Sequence, residues 1–233
     1  YAAQAIALFN ELLVPYPYAT FDVVPVELYG AAGVEFPQLI FIAQSYYVPD
    51  PDLAIPNDFD FTIAHEVVHQ WFYALVGNNQ YLHAFTDEGL TNFLSSRVYF
   101  SHEYGGAVGG RMFDDAAQGV FVSVVRAGGD QIVDTPTDAF DTSYAYAWAA
   151  YAKAPVGFNA IYTQVGEDAF LRGLRDYINA FAFHVAQPDN MMKALSGAAG
   201  EDIGPLWRHW FNEKNGEQDI AAMEHPSLAR RHR

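Results

Sequence analysis

Residues 65–69 read HEVVH, and eighteen residues separate His69 from Glu88 in the run FTDEG. On a helix, residues four apart share a face, so His65 and His69 can offer two imidazoles to one ion. Such a pair suits a borderline-soft cation such as Zn²⁺, one per chain. Glu66 lies about 100° around the axis from His65, too far to be a third ligand but placed to hold a water that a metal polarises. It is the candidate general base. Eighteen residues allow the histidine helix to end, turn back and bring Glu88 over the same point from the start of the next helix. The competing reading is a helix whose histidines pack or hydrogen-bond without metal, and the Glu88 spacing argues against it.

These residues need elements to hold them. Apolar residues recur at helical spacing through FTIAHEVVHQWFYALVG, with Asp58 or Asp60 as cap and Gly77 at the far end. FTDEGLTNFLSSRVYFSH forms the next helix, with Thr86 or Asp87 as its cap. Upstream, residues 1–14 read as a helix, and FDVVPVELYG, AAGVEF and QLIFIAQ as short strands of a small sheet. Pro25 and Pro37 belong at strand ends or on an edge. After the turn-rich 48–60 run and the histidine helix, further helical stretches continue to PLWRHWFNE. The expected fold is therefore α+β in a single domain spanning 1–233. Residues 1–57 form a helix and sheet-rich part, 58–223 a helical lobe with the metal site, and 224–233 a tail.

The 233 residues are 51% hydrophobic, enough for a sizeable core, and carry a net charge of −16 from 28 acidic and 12 basic side chains. That balance offers nothing to nucleic acid or an anionic membrane. No apolar run reaches transmembrane length, so no direct membrane contact is expected of this chain. There is no cysteine, so any metal must be held by His and carboxylates. The compartment, cytoplasmic or extracytoplasmic, stays open. The chain starts inside an amphipathic stretch, which predicts flanking domains in a longer protein.

The third histidine of the HExxHxxGxxH zinc proteases is missing, since QWFYAL follows His69. HEVVHQWFYALVGNNQYLHAFTDEGLTNF instead resembles the aminopeptidase N family of zinc metallopeptidases, in which H-E-x-x-H-x18-E precedes a glycine. Asp87 stands where that family usually has Asn. The resemblance extends from NELLVPYPY to PLWRHWF and implies a thermolysin-like catalytic domain. It also implies zinc held by His65, His69 and Glu88, with Glu66 as base. In the family's G-x-M-E-N strand a glutamate binds the substrate's free α-amine. Gly33 and Glu35 of AAGVEF match it as substrate-binding residues, whereas Val34 and Phe36 depart from it. The family's Y-x-K-G tyrosine stabilises the oxyanion; YAKA places Tyr151 there, with Ala154 for the glycine, and Tyr146 matches a second site tyrosine that lines the substrate. The implied function is a zinc aminopeptidase acting on peptides with a free N-terminus. The alternatives are a zinc endopeptidase with relaxed end specificity and a catalytically weak peptide-binding domain.

Overall fold

Short β-rich runs broken by Pro and Gly build the first part of the chain. The computed structural model describes residues 1–47 and 56–224. Helix α1 (Ala2–Leu12) precedes strands β1 (Asp22–Val26), β2 (Gly33–Phe36) and β3 (Leu39–Ala43), which lie in the order β1-β3-β2. β1 is parallel to β3 and β2 antiparallel to it. Pro25 thus lies on an edge strand and Pro37 in the turn between β2 and β3, where a missing N–H breaks no central ladder. Ile40 and Ile42 of the middle strand are fully buried. They sit opposite Glu35 and Gly33. Side chains alternate along a strand, so Gly33 and Glu35 face the helices while Val34 and Phe36 face away. Phe36 packs there on Phe41, with ring centroids 5.1 Å apart.

Helix α2 (Asp58–Val68) carries the two histidines. Its cap is Asn57, whose side chain accepts the Asp60 N–H at 3.0 Å, not Asp58 or Asp60 as the sequence suggested. Asp60 instead accepts the hydroxyls of Tyr99 (2.8 Å) and Tyr104 (2.6 Å). The helix also stops earlier than its apolar periodicity implied, with His69 at the C-cap. Tyr73, at φ 138°, breaks the helical run, and Gly77 is spent on a bridge to Val185.

The helical lobe continues through α3 (Gln80–His83), α4 (Glu88–Phe93), α5 (Phe100–Tyr104), α6 (Gly106–Phe113), α7 (Gly119–Arg126) and α8 (Ser143–Ala147). It closes with α9 (Ala154–Val165), α10 (Glu167–Phe181), α11 (Pro188–Ala199), α12 (Gly204–Phe211) and α13 (Gly216–Glu224). The sequence reading did not single out α13. Three π-helical turns join successive pieces: Leu94–Tyr99, Asp114–Gln118 and Trp148–Lys153. In the last, the Ala154 N–H reaches the Ala149 carbonyl five residues back. Residues 48–55 of the turn-rich run and the tail from 225 lie outside the described residues. Among the described residues no helix is long and apolar enough to cross a membrane.

Two aromatic clusters fix the helices that matter. Phe9 of α1 packs between Trp71 (6.0 Å) and Tyr99 (6.5 Å), anchoring the end of α2. Phe211 meets Phe85 (4.7 Å), Phe158 (5.0 Å) and Trp207 (4.6 Å), seating the approach to α4 against α9 and α12. Helices α4 and α9 touch because Gly89 has no side chain: a Cβ there would fall 2.5 Å from that of Ala154. A methyl at 154 fits because residue 89 lacks one, and nothing in the structure explains why alanine stands where the resembled pattern has glycine. A small mixed sheet followed by a helical lobe is the α+β order expected.

Candidate metal centre

The end of α2 and the start of α4 bring three donor atoms together. His65 Nε2 and His69 Nε2 are 3.2 Å apart, and each is 3.3 Å from Glu88 Oε2. A tetrahedral zinc with bonds of about 2.0–2.1 Å needs donors about 3.3–3.4 Å from one another, so the triangle has the size of one face of that tetrahedron. The tautomer agrees. His69 Nδ1 faces two acceptors, Asp87 Oδ1 at 2.7 Å and the Phe72 carbonyl oxygen at 3.1 Å. Nδ1 therefore carries the proton, and the Nε2 lone pair points into the triangle.

The electrostatics also call for a cation. Burial would raise the Glu88 carboxyl, but His65 and His69 more than offset this and hold it well below the usual carboxylate range. Burial would lower His69, but Asp87 and Glu88 hold it well above the usual histidine value. Burial also raises the Asp87 carboxyl, with His69 opposing. A proton on His69 supplies positive charge beside these carboxylates, and a divalent cation on the same donor atoms would take that proton's place. The donor set fits one.

Around the triangle lies a cleft of about 350 Å³. Its lining includes Gly33, Glu35, His65, Glu66, Glu88 and Tyr151. Glu66 is buried, and its Oε2 has no hydrogen-bond partner among the described residues. Burial pushes its carboxyl up to about 7, with Glu35 and Glu88 adding and the two histidines opposing. Gly33 lies directly against it: a Cβ at 33 would fall 2.3 Å from Glu66 Oε1 and 2.6 Å from its Cδ. One oxygen of Glu35, one of Glu66 and a ring nitrogen of His69 lie within 4.8 Å of one another.

Tyr151 comes from the π turn before α9. Its ring stacks on His65 at 6.3 Å, and Glu88 and Tyr146 act electrostatically on its hydroxyl. Burial and the Glu88 charge raise its pKa far above the ordinary tyrosine value, so it stays a donor. Asn92 of α4 holds this segment by donating to the Tyr151 carbonyl oxygen at 2.6 Å. Lys153 is buried on the opposite side, bonded to Asp130 and to the carbonyls of Gln131 and Glu213. Tyr146 packs edge-on against Tyr151 at 6.2 Å and is not among the described residues lining the cleft. Tyr144 is largely exposed. Sequence reasoning thus named the residues that meet here but missed Asp87 and Asn92 as supports. An acid adjoining a ligand, and an amide one helical turn beyond it, were the available signals. His83, outside the centre, pairs with Asp134 at 2.6 Å.

The family model described as the Peptidase family M1 domain matches residues 2–210. Aminopeptidase M1 of Arabidopsis thaliana is 22% identical over 216 residues, covering 91% of this chain and 24% of that protein. Probable aminopeptidase 1 of Saccharolobus solfataricus is 23% identical over 209 residues, 86% of this chain and 26% of its own length. Aminopeptidase 2 of Candida albicans is 25% identical over 215 residues, 90% and 23% respectively. The chain thus spans about a quarter of the length of the curated relatives it matches.

Proposed function

The chain belongs to peptidase family M1, and from that membership we propose that it is the zinc-dependent catalytic domain of an aminopeptidase. The observation that carries the reading is the 3.2–3.3 Å donor triangle of His65, His69 and Glu88, with Glu66 beside it in an open cleft. Its thermolysin-like α+β fold accords with the family. In this reading those three residues hold one zinc ion per chain. Bound there, zinc supplies Lewis acidity, making a water acidic and polarising a carbonyl.

The chain's own residues do the rest. Glu66 takes a proton from the attacking water, whose oxygen adds to the scissile carbonyl carbon. The same carboxyl then delivers that proton to the amide nitrogen as the C–N bond breaks. The Tyr151 hydroxyl donates to the oxygen that gains negative charge, and it can do so because it does not ionise. Glu35, facing the cleft from the edge strand, pairs with the substrate's α-ammonium and so favours cleavage of the first peptide bond. Phe36 departs from the family pattern, but its ring packs on Phe41 away from the cleft. The substrate is a peptide with a free N-terminus, and flanking domains would complete the protein. Paired peptides with free and acetylated N termini test the reading, alongside metal analysis. Cleavage of the free form with one zinc per chain is expected. Equal cleavage of both makes it an endopeptidase, and binding without cleavage makes it a peptide-binding domain.

A further inference from the structure

The residue after the second histidine has a part that the reaction itself does not require. Gln70 is fully buried. Its Nε2 donates to the Phe36 carbonyl oxygen at 2.9 Å, and its Oε1 accepts the Gln38 N–H at 2.8 Å. Both partners are backbone groups of the β2–β3 turn, where Gln38 holds φ at 69°. Gln38 also accepts the Asp22 N–H of β1 at 2.9 Å, so the clasp reaches across the sheet.

Strand β2 is only four residues long, and α2 and its extension meet it at both ends. Gly33 lies against Glu66 at one end, and Phe36 is held by Gln70 at the other. Glu66 and Gln70 are four residues apart and so lie on one side of the helical path, with His65 and His69 displaced from them by about 100°. Glu35 sits one residue from the clasp. An amide is the side chain that can donate to one backbone group and accept from another at once. A carboxylate would set oxygen against the Phe36 carbonyl, and an aliphatic chain would leave both partly buried turn groups without this partner.

We infer that Gln70 is a specificity-determining positioning residue: its clasp on the β2–β3 turn sets the distance from Glu35 to the metal centre, and with it the preference for a free over a blocked amino terminus. This rests on the proposed aminopeptidase reading. The test is calorimetric binding of a phosphinic pseudodipeptide with a free amine and of its N-acetyl form to the zinc-loaded chain, so no turnover is needed. Gln70→Leu should cut the wild-type preference for the free amine by roughly tenfold or more. Zinc content and affinity for the acetylated form should not change. In a Glu35→Gln background the same substitution should add nothing, because both act on one contact. An unchanged preference, or equal loss of both ligands, overturns the inference. Should Gln70→Leu not fold, Gln70→Glu keeps the shape and the Gln38 bond, and the same two outcomes decide. A wild-type chain with no preference removes the aminopeptidase reading and this inference with it. That failure shows before any substitution is made, so the two are told apart.

Discussion

The two walls of the cleft are built on different plans. On one, three donor atoms hang from helix ends, and the triangle follows from a four-residue spacing plus one short helix–turn–helix return. On the other, Glu35 rides a four-residue edge strand whose place depends on β3, on the fit of Gly33 to Glu66 and on Gln70. The first wall is local geometry reinforced by burial. The second is tertiary placement. Substitutions of the donors, or of Asp87 behind them, should therefore register in metal content, whereas those at Tyr151 and along the strand should register in turnover or selectivity with the metal retained.

Glu88→Ala is the largest expected effect. With one corner of the triangle gone, zinc binding and hydrolysis should both be lost while the fold, followed by circular dichroism, persists. Retained stoichiometric zinc by metal analysis would remove Glu88 from the ligand set. Tyr151→Phe comes next, a fall of about 10²–10³ in kcat with zinc unchanged, as expected when one oxyanion donor is lost. Unchanged kcat would leave that role to another group.

Gly33→Ala probes the seam between the walls. The new methyl must displace the Glu66 carboxylate, and steady-state kinetics should show kcat reduced about 10²-fold with metal intact. Loss of zinc in this variant would mean the walls are mechanically one. Asp87→Asn is the smallest. It keeps shape and a hydrogen-bond partner for His69 but removes the charge, and chelator competition should show zinc affinity weakened about tenfold with little change in kcat at saturating zinc. An unaltered affinity would reduce Asp87 to packing.

This contrast also explains what the sequence made readable. His65, Glu66, His69 and Glu88 were legible because helical periodicity converts spacing into direction. The three strands were legible from their β-branched runs and their Pro and Gly breaks. The early stop of α2 was not, because WFYAL continues an apolar pattern that Tyr73 interrupts only through its backbone angle. The cap at Asn57 escaped because two acidic neighbours looked equally suited, and one of them, Asp60, is needed by Tyr99 and Tyr104. Asp87 looked like a cap, and it does stand at that position, yet its carboxylate lies against His69. Gly33 read as a match to a substrate strand; only the packed structure shows Glu66 filling the space its missing side chain leaves.

The π turn at Trp148–Lys153 carries a consequence for how this protein can vary. A helix that closes a turn across five residues holds one more residue than an α-helix would, and each residue is worth about 100° of rotation. Deleting Ala149 would let the segment rewind into regular helix with its two flanks still in phase, because the wide turn has already absorbed one residue. Deleting a residue of the regular helix beyond it, such as Val156, would instead swing the two sides apart by about 100° and turn part of α9 away from Gly89. The stretch thus tolerates a change of length inside the turn and not beside it.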